Sequence, residues 1–523
     1  MGALTLKTFS DELREWELIE NEGIDPTDGF GVSLRLSVRE NQIYLAEPFD
    51  TDTPWISDKS RLFFDGLFEV DGLEEKTDWK KFFNSFSELV YFVDHLHFHR
   101  KNVASLVFVF DNVSLEILNM LYLLNRSYSF VQTRTAVKSK IETDLESNFQ
   151  LLSSVQKSKL HMSNLGLLVG TNPRYEGYLL NLSLRQRFLK GNFKLLSISP
   201  ILDLTVPVRS LGSNFNVLKS VGDGSNLICQ DIKSSEFPIL ITNTEFFKRT
   251  DSKVLSSVLK YVNLLDSSLS GTSVLNSSLG ITGMHSLNKF LTVTEDDITN
   301  FFSFYSINVS VNSISHFKSL IQLLLLKKFS TIPSKKKVFV NQSMENVNAD
   351  LFNKTKEVLS NEYIHLPVNM IYEDNETYMN TQGSMKRVNK LLHFKKNAKT
   401  NWQLVRKLYS SLKSISFYNN QKDNHLIQFD CANGFNFKNF TSFQYSAVQT
   451  LTSLSYYLMT RNHPVVRTTK LFFKTPKTKI FDTKIKFWLD DFFNSNGKDV
   501  FSYNSSALTN CSKISRASST NFF

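Results

Sequence analysis

The stretch Leu165–Gly177 reads LGLLVGTNPRYEG and is the clearest place where this chain could do chemistry. An apolar run ends in Gly170, turns through Thr171, Asn172 and Pro173, and enters YLLNLSLRQRFL, which has helical spacing. A strand, a tight turn and a helix start expose backbone N–H groups, and the helix dipole adds a positive end, so such turns hold phosphates. Gly170 would let a ligand approach the backbone, and Arg174 could pair with an anion. The plainer alternative is an ordinary βα turn, with Asn172 capping the helix and Pro173 in its first position. Spacing alone favours the plainer one, because the dinucleotide fingerprint with three glycines is missing.

Other chemical candidates are thinner. DHLHFHR brings Asp94, His95, His97 and His99 together. On a helix His95 and His99 share a face while His97 points elsewhere; on a strand the three histidines share a face without a clear fourth ligand. A polar helix end is the preferred reading. Asp374 and Glu376 form a carboxylate pair in a turn-like stretch, where solvation is the simplest account. No serine elbow, Walker loop or H-E-x-x-H sequence occurs. The three cysteines, Cys229, Cys431 and Cys511, are far apart. An iron–sulfur cluster or structural zinc needs clustered thiolates or short Cys/His spacings, so no metal site is expected, and the cysteine usage fits a reducing compartment. Nothing here assembles a catalytic centre.

The elements that would position these residues follow a simple pattern. GVSLRLSVRENQIYLAEPF alternates, turns at Glu40-Asn41 and resumes, a hairpin pattern in a β-rich region over 1–70. From about residue 75, WKKFFNSFSELVYFVDHL has helical spacing. VASLVFVF, GLLVGTN, KLLSIS and FPILITN read as buried strands separated by helical segments such as VSLEILNMLYLLNR and SKVLSSVLKYVNLL. Continuous apolar strands alternating with helices predict an α/β fold with parallel sheets covered on both faces. The organisation expected is a β-rich region over 1–70, a Rossmann-like lobe over 71–330, a second α/β segment over 331–412 containing NTQGS, and a loose basic extension over 413–523. No internal repeat is present.

With 523 residues the chain is too long for one core. Its 41% hydrophobic and 21% charged residues are those of a globular protein. No apolar run reaches the roughly 20 residues needed to cross a bilayer. Net charge is +10 but dispersed, and no zinc finger, helix-turn-helix or aromatic RNA motif accompanies it, so nucleic acid is not the expected partner. The basic segment 467–487 reads as a strip facing another protein subunit. The first residues gain acids at Asp11 and Glu12, unlike a mitochondrial presequence, which points to synthesis where the protein works or to a leader already removed. The abundance of Phe beside scarce Gly fits an AT-rich organellar gene.

Several stretches together resemble one family, the large iron–sulfur subunit in the peripheral arm of respiratory complex I, whose second half has a fold like the molybdopterin oxidoreductases. MGALTLK is similar to the stretch that follows a cluster-ligating Cys there. WISDKSRLFFDGL, LLVGTNPRYEGYLLNLSLRQRFL, YEDNETYMNTQGSMKRVN, WQLVRKL and SKISRAS are similar to further stretches of it. The resemblance implies molybdopterin-oxidoreductase-like parallel sheets, with the turn Gly170, Thr171, Asn172, Pro173 and Arg174 descending from a pterin-phosphate turn. Met1 stands where the last Cys of the family's motif would be, so the chain looks like the second half of a split subunit and no cluster ligand carries over. Gln382 and Ser384 replace a Glu and an Arg that help bind pterin in related enzymes.

The resemblance implies a cofactor-free scaffold of the proton-pumping NADH:ubiquinone oxidoreductase, not catalytic by itself, on the matrix side of the mitochondrial inner membrane; the family also occurs in bacteria. Iron–sulfur clusters and FMN would reside in partner subunits. Its nearest partner would be a separate cysteine-rich iron–sulfur chain, met through Met1, Leu4, Leu6, Phe9, Trp16 and Trp55. The alternatives are a molybdopterin-dependent oxidoreductase chain and a non-respiratory protein-binding module.

Overall fold

The structure, a computed structural model, describes mainly residues 13–49, 55–68, 106–136, 160–199, 204–247, 272–292, 303–308, 338–343, 362–393, 399–419 and 505–510. The chain divides into two compact units, Met1–Ile415 with Phe481–Phe523, and Ser416–Ile480. All the described sheets belong to the first. The second lies outside the described residues apart from the end of the helix Asn401–Asn419.

Strands β1 (Ile19–Ile24), β2 (Ser33–Arg39) and β3 (Gln42–Pro48) form an antiparallel sheet in that order. Glu40 and Asn41 both have positive φ, 48° and 69°, as a two-residue hairpin turn requires when it follows the right-handed strand twist. Leu34, Leu36 and Val38 alternate inward from β2. They pack with Phe63, Tyr372, Tyr378 and Val388, so the N-terminal sheet and residues 371–392 share one core.

Six further strands are β4 (Leu106–Phe110), β5 (Val131–Thr135), β6 (Leu165–Val169), β7 (Lys194–Ile198), β8 (Arg209–Gly212) and β9 (Pro238–Asn243). After them come β10 (Thr272–Leu275), β11 (Leu291–Thr292), β12 (Ser303–Ile307), β13 (Val338–Ser343) and β14 (Glu362–Pro367). Two parallel sheets result, one ordered β10-β9-β6-β7-β8 and the other β11-β5-β4-β12-β13-β14. The hairpin β15 (Glu376–Met379) and β16 (Met385–Val388) completes the described strands.

The four apolar runs expected as buried strands are β4, β6, β7 and β9. In β4 and β6 every residue is buried, as a strand covered on both faces demands. VSLEILNMLYLLNR forms the helix Leu115–Ser127, which buries Leu115, Ile117, Leu118, Leu121 and Leu124 at helical spacing. The helix Tyr178–Leu189 lays Leu180 and Leu184 against Leu168, Ile239 and Ile241 of the five-stranded sheet. Buried Arg187 on the same helix ties together the entries of β6 and β7. Its Nε donates to the Ser163 carbonyl (2.8 Å), Nη1 to the Gly191 carbonyl (2.7 Å) and Nη2 to Asn164 Oδ1 (3.2 Å).

The five-stranded sheet, β6 to β10, is inserted between β5 and β11 of the six-stranded one. β12 pairs with β13 across residue 330, so the domain limit drawn there from the sequence falls inside one sheet. The stretches 75–100, 252–257, 311–330, 344–360 and 467–487, including the Asp94–His99 group and the basic segment, lie outside the described residues apart from Trp79 and Phe83. Among the described residues no helix is long and apolar enough to cross a membrane.

Candidate functional site

In the five-stranded sheet the chain runs outward from β6 through β7 to β8, then returns to β9 and β10 on the other side of β6. The crevice beyond the carboxyl ends of β6 and β9 is therefore a topological switch point, where open α/β sheets bind ligands. The residues following β6 are Gly170 to Arg174, so the fold brings the predicted turn to that position.

Gly170 has φ +64°, a left-handed conformation that favours glycine, and its N–H donates to the Ile198 carbonyl at 3.2 Å. Asn172 caps the short helix Pro173–Glu176, its Oδ1 accepting from the Arg174 N–H at 3.2 Å, and Pro173 opens the helix. Thr171 and Asn172 are buried, whereas Arg174 is exposed with its guanidinium 5.7 Å from the Tyr175 ring centre. Glu176 then folds back over the turn. Its Oε2 accepts the Thr171 hydroxyl at 2.6 Å and the Asn172 N–H at 3.3 Å. A carboxylate of the chain itself thus sits where an anionic ligand would be held. Glu176 was missed in the sequence; an acid following an Asn-Pro helix start is the signal that could have found it.

The NTQGS stretch makes a second turn, with Gly383 at φ +79°. Asn380 Oδ1 accepts from the N–H groups of Gln382 (3.1 Å) and Ser384 (2.8 Å). Its Nδ2 donates to the Phe30 carbonyl at 3.0 Å. Thr381 donates twice to the Gly29 carbonyl, from its N–H at 2.7 Å and its hydroxyl at 2.8 Å. The β1–β2 loop is therefore the partner of this turn. It also reaches the first turn, since a Cβ on Gly177 would overlap the Phe30 ring.

Asp374 and Glu376 are not a solvated pair. Glu376 opens β15, accepts a short hydrogen bond from the buried Tyr378 hydroxyl, and has its carboxyl pushed up to about 7, first by burial and then by Asp374 and Glu116. Burial likewise raises Asp374. The Thr377 N–H donates to Glu116 at 3.3 Å, which ties the hairpin to the helix Leu115–Ser127. The sequence reading failed here because the neighbours that desolvate these acids are distant in the chain.

The molybdopterin oxidoreductase family model matches residues 103–411, more than half of the chain. The chain belongs to the molybdopterin oxidoreductase family. The 75 kDa subunit of NADH-ubiquinone oxidoreductase from Reclinomonas americana is 27% identical over 451 residues, covering 81% of this chain and 62% of that protein. The mitochondrial 78 kDa subunit from Candida albicans is 24% identical over 460 residues, covering 82% of this chain and 59% of that protein. An NADH-quinone oxidoreductase subunit from Rickettsia felis is 23% identical over 300 residues, covering 54% of this chain and 43% of that protein. The chain thus spans less than two thirds of the length of these relatives.

For a member of the molybdopterin oxidoreductase family, the two turns fit a pterin phosphate poorly. An anion at Asn172 would meet the Glu176 carboxylate, and the side chains of Asn380 and Thr381 donate to backbone carbonyls of the β1–β2 loop. Among the described residues, no group of three or more His, Cys, Asp or Glu is placed to hold a metal ion. Cys229 is buried, its Sγ 3.4 Å from the Val221 carbonyl, while Cys431 and Cys511 lie outside the described residues.

The expected interface residues separate. Met1, Leu4, Leu6 and Phe9 lie outside the described residues. Trp16 is 82% exposed and Trp55 66% exposed. They stand at opposite ends of the N-terminal sheet. Trp16 is next to Glu17, which binds Arg39 at the hairpin end (3.0 Å), and Trp55 precedes the helix Asp58–Leu62, whose Ser60 binds Asp25 at the loop end.

Proposed function

We propose that this chain is a cofactor-free scaffold subunit in the peripheral arm of proton-pumping NADH:ubiquinone oxidoreductase, without catalysis of its own. The names of the relatives support membership of that complex, and the mitochondrial 78 kDa relative supports a mitochondrial location; within it, the chain is assigned to the matrix side of the inner membrane as part of the proposal. The observation that carries the scaffold reading is the closure of both pterin-type turns by protein groups: the Glu176 carboxylate at one, the Gly29 and Phe30 carbonyls at the other. Donors held this way brace the α/β layers and leave a phosphate to compete with a built-in carboxylate. Exposed Trp16 and Trp55 support docking of the N-terminal region on a separate, cluster-carrying iron–sulfur chain, since large aromatics are typical interface anchors. Iron–sulfur clusters and FMN then belong to partner subunits.

The test is native purification of the tagged chain, with partner identification by mass spectrometry, in-gel NADH dehydrogenase activity, metal analysis and pterin fluorescence. Co-migration with NADH dehydrogenase activity and a cysteine-rich partner is expected, with neither molybdenum nor pterin. A pterin or molybdenum bound in about equal amount with the chain would favour the oxidoreductase alternative. Absence from any NADH dehydrogenase assembly would leave the non-respiratory binding module.

A further inference from the structure

The loop between β1 and β2, residues 25–32, is buried along its whole length together with the strand ends from Gly23 to Leu34. Connecting segments usually run over the surface, because buried backbone must find internal partners. This one finds hydrogen-bond donors on the Asn380–Ser384 turn and an apolar contact beside the first turn. The Gly29 and Phe30 carbonyls take the donors of Thr381 and Asn380, Phe30 lies against Gly177, and Gly29 is so close to the Asn276 carbonyl that a Cβ would overlap it. The loop is a plug between the two turns.

The plug carries two buried acids. Asp25 Oδ1 accepts the Thr27 N–H (2.9 Å) and hydroxyl (2.6 Å), and its Oδ2 accepts a short bond from the Ser60 hydroxyl. Asp28 Oδ1 accepts the N–H groups of Phe30 (2.9 Å) and Gly31 (3.2 Å). From the helix Asp58–Leu62, Lys59 reaches the loop, its Nζ donating to the Thr27 carbonyl at 2.9 Å. Tyr372 brings a phenol that donates to the Ile24 carbonyl. The end of β10 and the Asn380–Ser384 turn face the loop with uncharged groups, Asn276, Asn380 and Thr381. Among the described residues that face the loop, two carboxylates and one ammonium leave an excess negative charge in a desolvated place, which protonation of one acid removes.

We propose that the Asp25–Gly31 loop is a proton-linked plug, seated between the two turns while one of its aspartic acids is protonated and released from them as both become ionised. The proposal rests on the reading of these turns as scaffold. Burial, and then the Asp25 charge, raise the Asp28 carboxyl to about 8, and burial raises Asp25 as well. An acid whose pKa is higher in the seated form favours seating below its released-state value, near 4, and loses that contribution as pH rises toward about 8.

The experiment is hydrogen–deuterium exchange on the assembled complex, corrected for intrinsic rates, following peptides that cover 23–34 and 376–388 from about pH 5 to about pH 9. Protection in the wild type should fall by up to about tenfold per pH unit and level off above about pH 8. Asp28→Asn keeps the acceptor for Phe30 and Gly31 and should flatten that profile. If Asp28→Asn does not assemble, Lys59→Met serves: without the ammonium the ionised acids are less compensated, so the fall in protection should begin at lower pH than in the wild type. Equal pH profiles in wild type and Asp28→Asn, or a fall that begins at no lower pH in Lys59→Met, would overturn the proposal. Pterin found in the same complex would overturn the scaffold reading instead, and leaves these profiles to decide the plug.

Discussion

Glu176 sits four residues after the N-capping Asn172, and its Oε2 closes the turn by accepting from Thr171 and Asn172. Both donors are buried, so removing the acceptor leaves them without it in a place where that is costly. Glu176→Ala should lower stability by about 1–3 kcal/mol, read as a shift in the urea unfolding midpoint with an unchanged slope. A change within about 0.5 kcal/mol would mean that the carboxylate contributes no cap. The helix start was legible in Asn172 and Pro173, because capping depends on residue types a few positions apart. The closing carboxylate was not, since the same sequence equally permits Glu176 to face solvent.

The link from β6 to its helix depends on a backbone conformation as well as on side chains. Gly170 holds φ +64° where the strand must turn sharply at the switch point. A β-branched residue there costs about 1–2 kcal/mol or more in left-handed strain. On the proposed scaffold role, Gly170→Val should therefore lower the amount of assembled complex, measured on a native gel, while the complex that does form keeps normal NADH dehydrogenase activity. Normal assembly with lost electron transfer would point to a role in the chemistry instead. The hairpin at Glu40-Asn41 shows the same dependence of an element on its turn, and it was readable for the same reason: the two residues carry the positive φ themselves.

Across the whole molecule, the N-terminal sheet is fastened inward by a core shared with residues 371–392, and it presents Trp16 and Trp55 outward at its two ends. If both ends meet the partner chain, Trp16→Ala and Trp55→Ala should each weaken its binding by about 10-fold or more. Their effects should add, since the residues stand at opposite ends of the sheet. Neither should change the stability of the chain alone, because both side chains are exposed. Titration of the partner against each variant measures this; unchanged affinity in both would move the interface away from this sheet.

Local physics accounts for what the chain's residues announced directly. Four buried strands, the helix Leu115–Ser127 and the hairpin turn follow from periodicity, apolar runs and turn chemistry, all decided by neighbours in sequence. Tertiary structure alone decided the insertion of one parallel sheet into the other, the pairing of β12 with β13 across residue 330, and the seating of the β1–β2 loop. Asn380 and Phe30, which make one of the seating bonds, are 350 residues apart. Each carries an ordinary amide or carbonyl that water would satisfy equally well. Only when folding removes water from both do they need each other, and no local pattern records which distant group will be there. The same desolvation raises the carboxyls of Asp28 and Glu376, ordinary acids by residue type, to about 8 and about 7.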